Sequence, residues 1–255
     1  MRMRHRICKN YGTEPALTRP VLVNRENGLE TDCDMSELVP VGKAPDVLLH
    51  RRAAAALEHL MAQIVGWEHI VPVSGWRSFR QQTDIWNDTV ITRGEDFARR
   101  FVALPGHSEH QTGLAIDLAL NQEPLDFIRP YFPRDGICGR FREKMISYGF
   151  VERYPEGKED ITGIAAEPWH FRYVGLPHAA IMMLRGYCLE EYIDYLSLFP
   201  AEGPHLEISV QNKNFEIFYQ KLSETDGSVT LELPSSLPFQ ASGTNAGGCV
   251  VTLWR

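Results

Sequence analysis

Pro105–Asp117 reads PGHSEHQTGLAID and continues as Leu118-Ala119-Leu120. It carries a histidine, a turn glycine and then an aspartate set inside an apolar run. LAIDLAL, Leu114–Leu120, has the pattern of a short strand, with Asp117 facing opposite to Ile116 and Leu118. A carboxylate in such a run needs a partner, because burying it unpaired is very costly. EPWH, Glu167–His170, supplies another histidine and another carboxylate.

His110, Asp117 and His170 together form a two-histidine, one-carboxylate set, which is how zinc is held when a fourth position stays open for chemistry. Gly113 lets the loop after His110 fold back into the strand that carries Asp117. His107 is a rival to His110; His110 is preferred because it stands next to the turn, whereas His107 follows a Pro-Gly. A structural zinc commonly recruits a cysteine as fourth ligand, and no cysteine lies near these motifs. Two neutral imidazoles and one carboxylate leave Zn2+ with a net charge of about +1, enough to acidify water and polarise a carbonyl. Glu167, held off His170 by Pro168-Trp169, fits a general base for water attack and then a general acid to a leaving amine. The constellation reads as a zinc peptidase with one Zn2+ per chain.

Arg77 in SGWRS stands between a strand signal, HIVPVSGW, and a helix signal. It either stabilises an oxyanion or clamps a substrate carboxylate, or it is a surface salt bridge; the two readings weigh equally. Ser108 and Gln82 are weaker candidates for substrate hydrogen bonds.

The 255 residues are 44% hydrophobic and 23% charged, an ordinary soluble composition. The formal net charge of -7 argues against nucleic acid or an anionic membrane surface as partner. MRMRHRICKNYGTEP lacks an apolar stretch behind its basic residues, and no window is apolar enough to span a membrane. Five scattered cysteines, Cys8, Cys33, Cys138, Cys188 and Cys249, with no CxxC, fit reduced thiols. A cytoplasmic protein is expected, without a membrane anchor.

The pattern predicts a loosely attached arm over 1–20, a strand at Val21–Val23 and a helix from Asp46 to Gly66. It also predicts a helix capped by Ser78, a second short helix after Gly94, a helix ending at Gly149, and strands at FVERYP and EPWHFRYVG. PHAAIMMLRGYCLEEYIDYLSLF reads as one final helix. Beyond Pro204 the chain turns to strand alternation between Asn, Gly, Ser and Pro turns, so 203–255 is expected to be a small all-β appendage to a main domain over 21–202.

SGWRS with Gln82, SEHQTGLAID, and RYPEGKEDITGIAAEPWHFRYVG closely resemble the zinc D-alanyl-D-alanine carboxypeptidase and dipeptidase family of VanY, VanX and the bifunctional VanXY. The likeness runs from about Val21 to Tyr195. It implies an α+β fold, a small antiparallel sheet flanked by helices, shared with the hedgehog signalling domain. It implies His110, Asp117 and His170 as zinc ligands, Glu167 as base, Arg77 as transition-state stabiliser, and Ser108 and Gln82 as substrate contacts. The implied reaction removes the terminal D-alanine from D-Ala-D-Ala or from peptidoglycan pentapeptide precursors. This depletes the vancomycin target in the cell wall and spares ends in D-Ser or D-lactate. The missing anchor resembles the VanXY type, and the β appendage points to its VanG-type branch. Competing readings are an L-Ala-D-Glu endopeptidase and a non-catalytic zinc-binding module; the presence of Glu167 and Arg77 counts against the second.

Overall fold

The computed structural model describes residues 2–8, 20–223 and 228–255. Through residue 188 the elements are β1 (Arg2–Cys8), β2 (Leu38–Val41), β3 (Ala44–His50), α1 (Arg51–Ile64), β4 (Ile70–Ser74), α2 (Phe79–Arg93), α3 (Glu95–Phe101), β5 (Ala115–Leu120), α4 (Gly136–Met145), β6 (Phe150–Glu152), α5 (Glu159–Thr162), β7 (His170–Tyr173) and α6 (His178–Arg185). They are followed by α7 (Leu189–Leu196), β8 (Leu206–Val210), β9 (Lys213–Lys221), β10 (Ser228–Pro234), β11 (Phe239–Gly243) and β12 (Gly248–Trp254). Helices and small antiparallel sheets make this an α+β chain, as expected. It divides into two compact units, one of residues 23–188 and one joining 1–22 to 189–255.

The unit 23–188 is built on a four-stranded antiparallel sheet in the order β4-β5-β7-β6, with a separate β2-β3 hairpin. One face of the sheet is aromatic: Phe171 of β7 packs at 4.8 Å from Phe141 of α4 and 5.2 Å from Phe132, between ring centres. All three rings are buried, as are Ile116 and Leu118 of β5, so this face is core. The opposite face carries Asp117 and His170. Helix α1 is amphipathic and buries Ala53, Ala54, Leu57, Leu60, Met61 and Ile64. Helix α2 starts with a complete capping box: Ser78 accepts from the Gln81 N–H, and the Gln81 side chain accepts from the Ser78 N–H.

In the other unit β11-β12-β9-β8 form an antiparallel sheet, and β1 pairs with β10 from Arg2↔Pro234 to Cys8↔Ser228. Phe218, Leu231, Leu233, Val251 and Leu253 are among its core side chains.

Four local expectations are corrected. Val47 and Leu48 belong to β3, not to a helix from Asp46, because Leu38–Val41 offers them a partner strand and the His50 side chain caps a helix that starts at Arg51. The helix ends at Ile64, with Val65 in the left-handed region (φ 56°) before Gly66. Val21–Val23 is buried without joining a sheet. The stretch 178–199 forms two helices, because Gly186 takes φ 67° and its N–H returns to Met182 and Met183 carbonyls, closing α6. Residues 2–8, expected in a loose arm, form β1; its partner strand lies more than two hundred positions away, beyond any local signal. The rest of that stretch, 9–19, lies outside the described residues.

Candidate active site

Strand register builds the centre. In the β5–β7 pair Asp117 stands opposite His170 and Ala115 opposite Arg172, so both side chains of each pair rise from the same face. An irregularity between Pro72 and Ser74 brings Ser74 opposite Asp117, where β4 leaves the sheet. Gly75 then passes against Leu48; a Cβ there would lie 2.2 Å from the Leu48 carbonyl oxygen, so only glycine fits. The Trp76 N–H donates to that carbonyl at 2.6 Å, and the Arg77 N–H donates to the His110 carbonyl at 3.3 Å. The loop bearing His110 is a 3-10 turn, Glu109–Thr112, closed by Gly113 at φ 69°. The Gly113 carbonyl is tied to the His50 N–H at 2.8 Å.

His110, Asp117 and His170 each offer a ligand atom, and these atoms lie within 4.8 Å of one another. His110 Nε2 is 3.2 Å from Asp117 Oδ2, and His170 Nδ1 is 3.0 Å from Asp117 Oδ1. The two imidazoles stand edge to face, 4.9 Å apart. His110 Nε2 and Asp117 Oδ1 are buried without a hydrogen-bond partner despite this proximity. The ligand atoms thus cluster around one point without pairing fully among themselves. Buried orphaned donors and acceptors are costly, and a cation at that point relieves them. Two imidazole nitrogens and one carboxylate oxygen suit zinc. His110 Nδ1 sits 2.6 Å from the Gly75 carbonyl, which only accepts; this puts the proton on Nδ1 and leaves the lone pair on Nε2, on the side of Asp117, able to bind a metal.

Glu167 is buried beside this trio, with Oε2 3.5 Å from His170 Nδ1. Burial pushes its carboxyl up to about 8, and Asp117 and Glu109 add to the effect while His170 and Arg77 oppose it. His110 is pulled down to about 4 by burial and by Arg77. His170 moves the other way, up to about 9: burial opposes protonation, and Asp117 with Glu109 and Glu167 overcomes it. Asp117 stays ionised against its burial because the two histidines favour its charge. Burial and neighbouring charge thus push Glu167 and His110 toward their neutral forms and hold Asp117 and His170 toward their charged ones.

These groups line one open cleft. Arg77 reaches into it with Nη2 4.0 Å from Asp117 Oδ2. Ser108 and Gln82 line it as well, both buried; Gln82 Nε2 donates to the Ala103 carbonyl at 2.7 Å, and its Oε1 has no partner. Phe101, Phe127, Tyr154 and Trp169 supply aromatic walls that composition alone does not reveal. All seven residues singled out from the sequence thus line one cleft. His107 stands apart from the trio, with Nδ1 bound to the Asn24 carbonyl at 2.8 Å.

One buried residue escaped the sequence reading. Glu109 Oε1 accepts from Arg153 Nε and Arg172 Nη1, both at 2.7 Å, and all three side chains are fully buried. The two arginines keep Glu109 ionised, well below the usual carboxylate range, against its burial. The available signal was Arg153 and Arg172, two cations in apolar strand contexts that need a shared anion.

The family described as VanY, D-alanyl-D-alanine carboxypeptidase, matches residues 46–176. The chain is 41% identical over 178 residues to VanXYC of Enterococcus gallinarum, a bifunctional D-Ala-D-Ala dipeptidase and carboxypeptidase, covering 69% of this chain and 94% of that protein. It superposes on the vancomycin-resistance D,D-dipeptidase VanXYg, solved with a D-Ala-D-Ala phosphinate analogue, with TM-score 0.93 and 42% identity over 100% of both chains. A variant of the D,D-pentapeptidase VanY from a VanB-type cassette, solved with Zn(II), aligns with TM-score 0.58 and 29% identity, over 69% of this chain and 98% of that one. The family match over residues 46–176 and the 41% identity to VanXYC show that the chain belongs to the VanY family of D-alanyl-D-alanine carboxypeptidases.

Proposed function

We propose that this chain is a zinc-dependent D,D-peptidase, with one Zn2+ held by His110, Asp117 and His170. It hydrolyses D-Ala-D-Ala and removes the terminal D-alanine from peptidoglycan precursors, which confers vancomycin resistance. The observation that carries the reading is the convergence of three ligand atoms within 4.8 Å on the floor of a cleft walled by Glu167 and Arg77. Full-length likeness to VanXYg and to the bifunctional VanXYC supports the substrate.

Zinc, when bound, acidifies water and polarises the scissile carbonyl. The chain's own residues do the rest. Glu167 holds a proton near neutral pH, and positive charge at the trio favours its ionised form. It takes the proton of the attacking water and returns it to the leaving amine, a role generally worth about 10²- to 10⁴-fold. Arg77, fixed through its backbone to the His110 loop, aims a guanidinium where negative charge develops. Ser108 and the unpartnered Gln82 Oε1 present hydrogen-bonding groups to the peptide. Tyr154 and Trp169 exclude water beside the trio.

All of these residues belong to the unit 23–188, which we take as the catalytic one. Cys33, Cys138, Cys188 and Cys249 are joined in no disulfide, and no helix among the described residues is long and apolar enough to cross a membrane. The thiols support action in the reducing cytoplasm, on precursors made there.

The test is D-alanine release from D-Ala-D-Ala and from a pentapeptide ending in it, with and without a zinc chelator. Chelator-sensitive release from both substrates is expected. Release from one alone narrows the enzyme to dipeptidase or carboxypeptidase, and release from neither with zinc bound overturns the reading.

A further inference from the structure

We infer that Glu109 is a positioning residue that fixes the tautomer of His170, so that Nδ1 and not Nε2 faces the metal. The proposal rests on the zinc reading above.

His170 presents its two nitrogens to different carboxylates. Nδ1 faces Asp117 Oδ1 at 3.0 Å, and Nε2 points the other way, to Glu109 Oε2 at 3.6 Å. Both His170 Nε2 and Glu109 Oε2 are buried and without a hydrogen-bond partner. The gap exceeds a hydrogen bond by a few tenths of an ångström, and closing it satisfies both atoms at once. Glu109 cannot turn this oxygen elsewhere. Its other oxygen is held at 2.7 Å by Arg153 Nε and by Arg172 Nη1. The clamp is part of the sheet: Arg172 lies two residues beyond His170 on β7, and the Arg153 N–H donates to the His170 carbonyl at 3.2 Å. An ionised carboxylate aimed at Nε2 only accepts, so the ring must carry its proton there. The lone pair on Nδ1 is then available to the metal. His110 is set in the reverse sense by the Gly75 carbonyl at its Nδ1, so the two ligand histidines are held in opposite tautomers by separate buried acceptors.

Glutamine at 109 makes the sharpest test. The two arginines demand an acceptor, so the amide oxygen must face them and the amide NH2 must face His170. That group donates to Nε2 and favours the wrong tautomer. Aspartate keeps two acceptor oxygens and serves as the conservative variant. In the full-length, zinc-loaded wild type with 15N-labelled histidine, long-range 1H–15N correlation is expected to show one ligand histidine protonated on Nε2 and coordinated through Nδ1. The other is expected to be reversed. Glu109→Gln is expected to weaken zinc binding by about 10- to 100-fold in competition with a chelator, with Glu109→Asp retaining more affinity than Glu109→Gln. A purely structural role would lower the thermal stability of the metal-free protein while leaving the zinc affinity of the folded fraction and the tautomers unchanged.

Two ligand histidines both protonated on Nδ1 in the wild type would overturn the proposal and leave the peptidase reading intact. Wild-type zinc affinity in a folded Glu109→Gln protein would also overturn it. Failure of the wild type to bind zinc at all would remove the metal reading and this proposal with it.

Discussion

Asp117 and His170 face each other across β5 and β7, with Oδ1 3.0 Å from Nδ1. Two potential metal-binding residues more than fifty positions apart are thus brought together by strand register. A one-residue slip would turn Asp117 into the aromatic core face and leave a buried carboxylate without its partners. The rigid sheet, and not a flexible loop, sets the spacing of the pair.

Glu167→Ala is expected to retain zinc and lose hydrolysis by about 10²- to 10⁴-fold in kcat. Zinc content and D-alanine release measured on the same preparation check this. Full activity in the variant would take Glu167 out of the mechanism.

The metal-free protein is expected to reveal Glu167 in its stability profile. Its folded carboxyl titrates at about 8, against 4.5 without the surrounding fold. Between these values the folded chain holds the proton that the unfolded chain has released. The contribution of this group to stability therefore falls as pH rises through that window. Glu167→Gln abolishes the titration. After chelation its Tm should match wild type near pH 4.5 and exceed it near pH 8; equal Tm values throughout would show that the carboxyl is not raised.

His110→Ala is expected to lose stoichiometric zinc, whereas His107→Ala should keep it, since His107 is engaged with the Asn24 carbonyl away from the trio. Metal analysis after dialysis separates the two. Zinc retained by His110→Ala and lost from His107→Ala would reverse the assignment.

Arg77→Ala is expected to lower kcat by about 10²- to 10³-fold, the usual effect of removing one donor to a developing charge. KM should change less, because Arg77 lies 4.0 Å from Asp117, beside the reacting centre. A variant that raises KM alone would make Arg77 a clamp for a substrate carboxylate, the other role open to a guanidinium there.

Much of the site was legible in the sequence because its parts are locally encoded. Gly113 sits where a positive φ of 69° is needed, Asp117 interrupts an alternating strand, and the Ser78–Gln81 capping box starts α2 where the pattern placed it. These features depend on neighbours a few positions away, so periodicity and residue chemistry determine them. The residues expected to hold zinc, with Glu167, Arg77, Ser108 and Gln82, were named from residue chemistry and from motifs that resemble the family's, and all of them line one cleft.

Tertiary structure decided what depends on distant partners. β3 displaced the expected start of α1 because Leu38–Val41 pairs with it, and β1 exists because Ser228–Pro234 lies beside it. The Arg153–Glu109–Arg172 cluster joins three segments, and a buried charge declares its counter-ion only once the chain has closed around it. The tautomer of each ligand histidine belongs to the same category, since it is set by whichever acceptor the fold puts behind the ring: the Gly75 carbonyl for His110 and, in our proposal, Glu109 for His170. The sequence by itself singled out the side chains that could hold a metal; packing decided which of their atoms face one another.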